Sequence, residues 1–348
     1  PSSRDRKTCS LRQDRAALRQ CAAIHLFRLC DTRLGLDQKF LTTQRWHTLA
    51  GSLLDDEPVV RKAVMGELGL MITGNGKYST VMGMGAMAPR LRFVAMAVFC
   101  IDGSQGSHSR ANGNAANIGK AIHNQKGNIA GCIAFLRKVY ESNAVQCRAR
   151  GPEAEKHFET FTKLTIMPEY AVPYAFHLLA CRLETPSTGL GGRKSRKAKD
   201  DEDYEVDESG QRVLRKRLKA LYDPLVLQLG ASADNISFLL RMAEMLAKLF
   251  EPVGCTPSAS GNGSSARDRD KLKNICATAR EVLLSYVKTD ANLDTHPGAI
   301  RMPGNLFRRR EIRKRKTKKS SSATDTSPIL DMMINTEDGF REEQNDVE

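Results

Sequence analysis

Residues Leu54–Gly69 read LDDEPVVRKAVMGELG, and one local structure accounts for the order of the parts. An acidic turn followed by a proline marks a helix start: Asp55 or Asp56 can accept from the first unpaired amides, their charge suits the positive helix end, and Pro58 fits the first turn. Val60, Ala63, Val64, Leu68 and Met71 then recur at helical spacing and form one apolar stripe. Arg61 stands beside that stripe, within reach of the acidic turn. An Asp-to-Arg hydrogen bond that closes a helical hairpin is therefore expected.

The same pattern extends outward on both sides. Upstream, SLRQ at Ser10–Gln13 has the form of a capping box and leads into RAALRQCAAIHLFRLC (Arg15–Cys30), with Leu18, Ala22, Leu26 and Leu29 as the stripe. Residues 1–9 are expected to be a disordered start. A second helix is predicted over Asp37–Asp55, with Leu41, Trp46, Leu49, Ala50 and Leu53 on one face. Downstream, Leu91–Ile101 (LRFVAMAVFCI) is apolar nearly all round, as an inner helix packed on both sides would be. Residues Ser104–Gly127 are rich in Gly, Asn and Ser and read as loop with a short weak helix inside. Ile129–Tyr140, Glu153–Lys163 and Pro168–Leu183 resume the helical pattern, and Leu214–Leu229, Asn235–Phe250 and Lys271–Tyr286 add three amphipathic helices.

About ten helices in pairs, on a spacing near 40 residues, is the pattern of HEAT or armadillo repeats, whose two-helix units hide their apolar faces only by stacking. The predicted fold class is an all-α, HEAT-like α-α superhelix. Helical repeats are assigned to 10–184 and 212–307, a charged flexible insert to 185–211, and a disordered tail, basic and then acidic, to 308–348. The insert carries RKSRKAK at Arg193–Lys199 and then an acidic block, and cannot bury enough apolar surface to order itself. The chain begins at Pro1 rather than Met, so a fragment of a longer protein is expected.

Composition narrows the partners. The 348 residues carry a formal charge of +14, which points to an anionic partner, nucleic acid before others. The charge is concentrated in RRREIRKRKTKK, where Arg308, Arg309, Arg310, Arg313, Lys314, Arg315, Lys316, Lys318 and Lys319 stand against Glu311 alone. This run is the candidate nuclear-localisation or DNA-contacting element. With no aromatic residue inside it, phosphate contact rather than base stacking is the expected mode. A solvated tail without a dedicated partner is the plainer alternative.

The sequence carries no recognised catalytic or metal-binding pattern. TGNGKYST misses the phosphate-loop spacing, with Met71 where the first glycine belongs and Tyr78 where the hydroxyl belongs. No Ser/His/Asp set, GxSxG elbow or HExxH helix occurs. The seven histidines are scattered, and His25, His47 and His177 sit beside leucines in helical stripes, which reads as packing. Nine cysteines occur without a CxxC or a Cys/His pair at zinc-ligand spacing, so buried thiols in a reducing compartment are expected. No enzyme activity, cofactor, metal or small-molecule substrate is predicted. No run approaches the ~18 consecutive apolar residues of a membrane span, so no membrane partner is expected.

At MPEYAVPYAFHLLA (Met167–Ala180) the chain closely resembles a helix of the precocious-dissociation-of-sisters family, the HEAT-repeat regulators of sister-chromatid cohesion. RAALRQCAAIHLFRLC, LDDEPVVRKAVMGELG, RLRFVAMAVFCID, ADNISFLLRMAEMLAKL and IRMPGNLF look like further landmarks of that family's C-terminal part, in the same order. The resemblance runs from about Arg15 to Phe307, with gaps at Gly103–Gly127 and at the insert. It implies a non-enzymatic scaffold in the nucleus, on chromatin. Its implied partners are the kleisin and accessory HEAT subunits of cohesin, whose residence on chromosomes it would regulate. A generic HEAT adaptor, such as a transport receptor or phosphatase scaffold, is the alternative. The basic tail argues against a transport receptor.

Overall fold

The computed structural model describes residues 3–30, 41–73, 89–101, 115–182, 208–227, 233–254, 264–287 and 300–310. The fold is all-α. In chain order the helices are α1 (Ser3–Leu29), α2 (Thr43–Gly51), α3 (Pro58–Thr73), α4 (Pro89–Cys100), α5 (Ala115–Arg150), α6 (Pro152–His157), α7 (Lys163–Ile166), α8 (Ala171–Arg182), α9 (Glu208–Val226), α10 (Ala233–Leu249) and α11 (Ser264–Leu284). One departure from helix is a two-stranded antiparallel ladder of β1 (Phe250–Pro252) and β2 (Phe307–Arg309). Three-residue strands leave no periodic trace in a sequence.

The stretch LDDEPVVRKAVMGELG is a 3-10 turn followed by α3, which starts at Pro58 as expected. Val60, Val64, Leu68, Met71 and Ile72 are buried on its inner face; Ala63 is half-buried. The capping differs from expectation. Asp55 Oδ1 accepts from the amide of Glu57 at 2.9 Å, while the carbonyl of Glu57 accepts the first helical bonds from Val60 and Arg61. Asp55 thus shapes the approach to the helix instead of capping its first turn. Arg61 donates to the backbone carbonyls of Asp55 and Asp56, and the Asp55 carboxylate goes to Arg19 of α1 in a two-pronged pair of 2.6 and 2.9 Å. The hairpin is tied through carbonyls, and the carboxylate ties α3 back to α1.

The Arg19 hydrogen bonds hold the Asp55 carboxyl below its ordinary value of 3.8. A depressed carboxyl stabilises the fold above its unfolded value and loses that contribution as pH falls through the folded one. Urea midpoints of wild type and Asp55→Asn should therefore differ at neutral pH and converge below pH 3.8. A gap that persists unchanged well below that pH, where the carboxyl is protonated in both states, would remove the Arg19 pair as its source.

Ala16, Ala23 and Phe27 of α1 and Cys30 just after it are buried, whereas Leu18 is 71% exposed. Of the expected stripe, Leu18 and Ala22 are exposed, while Leu26 and Leu29 are half-buried and Leu26 packs against the core. Apolar residues occur all round this helix, and its packing against α3 chooses among the faces. The helix also begins at Ser3, inside the stretch expected to be disordered.

The long α5 runs through Gly127 and Gly131, into the segment expected to be mostly loop. Glycine costs up to ~1 kcal/mol in a helix interior, and burial of Ile129, Cys132, Ile133 and Leu136 on one face offsets it. Leu41, Trp46, Leu49, Ala50 and Leu53 are all buried, as their spacing predicts, and so is every residue from Leu91 to Ile101 except Arg92. Helix α9 starts at Glu208 and so takes in the last four residues of the expected insert.

Helix α4 lies at the centre, packed against α3, α5, α8 and α9, and α11 packs against α8, α9 and α10. The main partner of α4 is α8 rather than a chain neighbour. Arg217 of α9 donates to the carbonyl of Ile101 at 3.0 Å while its guanidinium lies 4.9 Å from the Phe99 ring centre. A cation thereby satisfies the carbonyl end of α4, where the helix dipole favours it.

The segment Met167–Ala180 is buried throughout. Met167 is extended, as a residue before proline must be, and Pro168 opens a 3-10 turn that leads into α8. Pro173 falls in the first turn of α8, where no intrahelical partner for its missing amide is required. The one acidic residue of the segment, Glu169, is 1% exposed and pairs with Arg137 of α5.

Candidate functional site

Part of the basic run expected to be a disordered tail is ordered. In the β1–β2 ladder, Phe250 faces Arg309, Glu251 faces Arg308 and Pro252 faces Phe307. Two flanking bonds extend it, from Val253 to the carbonyl of Leu306 at 2.9 Å and from Arg310 to that of Leu249 at 2.8 Å. Pro252 has no amide to donate, which suits the end of a short edge strand. Arg308 and Arg309 are exposed, and Arg310 is half-buried. Arg310 Nε and Arg269 Nη1 both approach Glu251 Oε1, at 3.4 and 3.3 Å. One cation of the run is thereby partly neutralised, and two project from a fixed strand. Arg313, Lys314, Arg315, Lys316, Lys318 and Lys319 lie outside the described residues, as do the RKSRKAK block and the TGNGKYST stretch.

Alternation along β2 turns Phe307 inward. Its ring meets His177 edge to face, with centres 5.3 Å apart and planes at 88°. His177, on α8, and His47, on α2, are both buried, and His47 Nε2 lies 3.1 Å from His177 Nδ1. The other ring nitrogen, His177 Nε2, donates to the carbonyl of Val253 at 2.9 Å. That bond assigns the proton of the neutral ring to Nε2 and leaves a lone pair on Nδ1. One helical turn on, Cys181 Sγ lies 3.8 Å from His177 Nδ1. Donor atoms of His47, His177 and Cys181 all lie within 4.8 Å of one another. Trp46 stacks on His177 with centres 6.2 Å apart and planes at 23°.

Burial lowers the His177 imidazole from 6.5 to about 4, against the carbonyls of Val253 and Leu306, which raise it. The ring is therefore neutral at physiological pH. Elsewhere burial pushes the Cys100 thiol up to about 12 and the Cys276 thiol higher still, so both are inert at neutral pH.

Two sequence expectations change here. Cys181 is disulfide-bonded, so the cysteines are not uniformly thiols. The packing expected of the histidines holds for His47 and His177, which, 130 positions apart, are buried in one cluster with Cys181, and fails for His25, which is exposed. The four-residue interval from His177 to Cys181 was the available signal, since i and i+4 lie on one helix face. No family model matches this chain, and no curated protein matches it significantly.

Proposed function

We propose that the chain is a non-enzymatic helical scaffold that binds the cohesin ring through its kleisin and accessory HEAT subunits and regulates how long the ring stays on chromatin. The reading rests on one observation: the six sequence landmarks that resemble the cohesion-regulator family fall in order along an all-α chain. RAALRQCAAIHLFRLC ends α1, LDDEPVVRKAVMGELG leads into and through α3, and RLRFVAMAVFCID spans α4. MPEYAVPYAFHLLA enters and forms α8, ADNISFLLRMAEMLAKL is α10, and IRMPGNLF runs into β2. Burial of MPEYAVPYAFHLLA makes it a packing element, so partners would be gripped by other surfaces. In this reading the run from Arg308 to Lys319 directs the protein to the nucleus or holds DNA phosphates.

Binding of the purified protein to purified cohesin subunits, measured beside nuclear-import cargo, tests the reading. Binding to the kleisin and accessory subunits is expected, and selective binding to cargo would overturn it in favour of a transport adaptor. The DNA arm has its own test. Affinity falls with salt at a log–log slope of about −0.9 per phosphate contacted, so Arg308→Ala with Arg309→Ala should make the slope shallower by about two. An unchanged slope by fluorescence anisotropy would exclude these two side chains from phosphate contact.

A further inference from the structure

We infer that the outer face of α1 is a docking surface for an acidic amphipathic helix of a partner protein. The inner face of α1, with Ala16, Ala23 and Phe27, is buried, and the helix packs against α3. On the side away from these residues, Leu11, Leu18, Ala22 and Leu29 recur after seven, four and seven positions, the spacing by which one helix lays a seam along another. Leu11 is 56% and Leu18 71% exposed, Ala22 is exposed and Leu29 is half-buried. Single exposed leucines are ordinary on a protein surface, whereas aligned ones mark a contact surface.

Charge identifies the occupant. Arg15 and His25, both exposed, fill the remaining positions of the seam, Arg15 between Leu11 and Leu18 and His25 between Ala22 and Leu29. Once a covering helix excludes water, a cation inside an apolar seam needs an acidic residue opposite it. The helix as a whole carries seven Arg and Lys against two Asp, so acidic residues along the edges of the partner helix suit it as well. A second copy of α1 would set this excess of positive charge against itself. Basic amphipathic helices also bind anionic lipid, but they do so with a broad apolar face that carries Trp or Phe. The outer face of α1 has neither residue, and its large apolar side chains lie in a narrow row.

The fitting partner is therefore a helix with apolar residues at the seven-four spacing and a carboxylate facing Arg15. This surface is independent of the cohesin reading, since it is defined by charge and spacing alone. Its test uses no cohesin sequence, so the two readings fail separately.

Two synthetic helical peptides of about three heptads serve as probes, with fluorescence anisotropy reading their binding to the full chain. Both carry leucine at the a and d positions except for one central a position. There, and at e and g, one peptide has glutamate and the other lysine. Like charges across an interface cost several kcal/mol, so the glutamate peptide should bind more than about tenfold tighter than the lysine peptide. Leu18→Asp should abolish its binding, and Arg15→Glu should reverse the preference between the two peptides. Both side chains are exposed, so circular dichroism of the two variants should match wild type. No binding of the glutamate peptide, equal affinity for both peptides, or an unchanged preference in Arg15→Glu would overturn the surface. So would a dimer in sedimentation that Leu18→Asp dissolves, which gives the face to a second copy. Tighter binding to phosphatidylserine vesicles than to the glutamate peptide, lost in Leu18→Asp, would overturn it in favour of a lipid surface.

Discussion

Replacing Trp46 by alanine is expected to lower the unfolding free energy by about 3–5 kcal/mol, the range for removing a large aromatic from a packed core. Trp46 is fully buried and is the only tryptophan in the chain. It meets Tyr174 edge to face at 6.0 Å, stacks on His177 and lies beside His47. It thus joins the nine-residue α2 to the buried α8. A helix that short cannot hold itself in water, so the burial of its inner face is what keeps α2 in place. Urea denaturation followed by circular dichroism measures the loss. A midpoint near that of wild type would mean that the site collapses around the missing ring without leaving a cavity.

Removing Arg137 should cost a similar amount, but only where Glu169 is ionised. The Glu169 carboxylate is 1% exposed and its cation, Arg137, is 19% exposed. Burial raises Glu169 above its ordinary 4.5, although the charge and hydrogen bond of Arg137 pull it the other way. Among the described residues, Glu169 Oε2 and Arg137 Nε have no hydrogen-bond partner, so the ion pair between them is the main compensation for the buried charge. Breaking a buried pair from one side costs about 3–5 kcal/mol, because the other charge is left without compensation.

The sign with pH follows. A carboxyl raised in the folded state destabilises the fold as pH rises above its unfolded value, until the folded value is passed. Arg137→Ala raises Glu169 further, so its penalty should be largest at alkaline pH and shrink as pH falls towards the ordinary carboxyl value of 4.5, where the buried carboxyl is protonated with or without Arg137. Adding Glu169→Gln should recover much of the loss at the higher pH by removing the charge. A penalty independent of pH would show that the lost Arg137 contacts, including its guanidinium 5.8 Å from the Tyr140 ring centre, matter more than the buried charge.

The helices were legible wherever apolar spacing singled out one face or marked burial all round. Val60, Val64 and Leu68 fall at intervals of four residues, and all three are buried. Leu91–Ile101 was readable for the opposite reason, being apolar enough to demand cover on every side. The face of α1 was not readable, because leucines and alanines surround that helix and only its packing against α3 selects Ala23 and Phe27 over Leu18. Local glycine content also misled at Gly127, where a buried apolar face outweighs the helix penalty.

The candidate sites divide the same way. The charge of the basic run is plain in the sequence, but the pairing of Arg308 and Arg309 in a strand depends on a distant partner strand, Phe250 lying 59 positions before Arg309. Asp55 carries the charge expected of a hairpin tie, yet its carboxylate pairs with Arg19 of another helix.

The sequence by itself determined that this chain is helical and where most of its helices lie, because helix periodicity and capping act over a few residues. Only the tertiary structure decided which face of α1 is inside, which cation meets Asp55 and Glu169, and that His47, His177 and Cys181 share one buried cluster. Those pairings are set by which helices pack together, and helix packing joins residues that no local spacing relates.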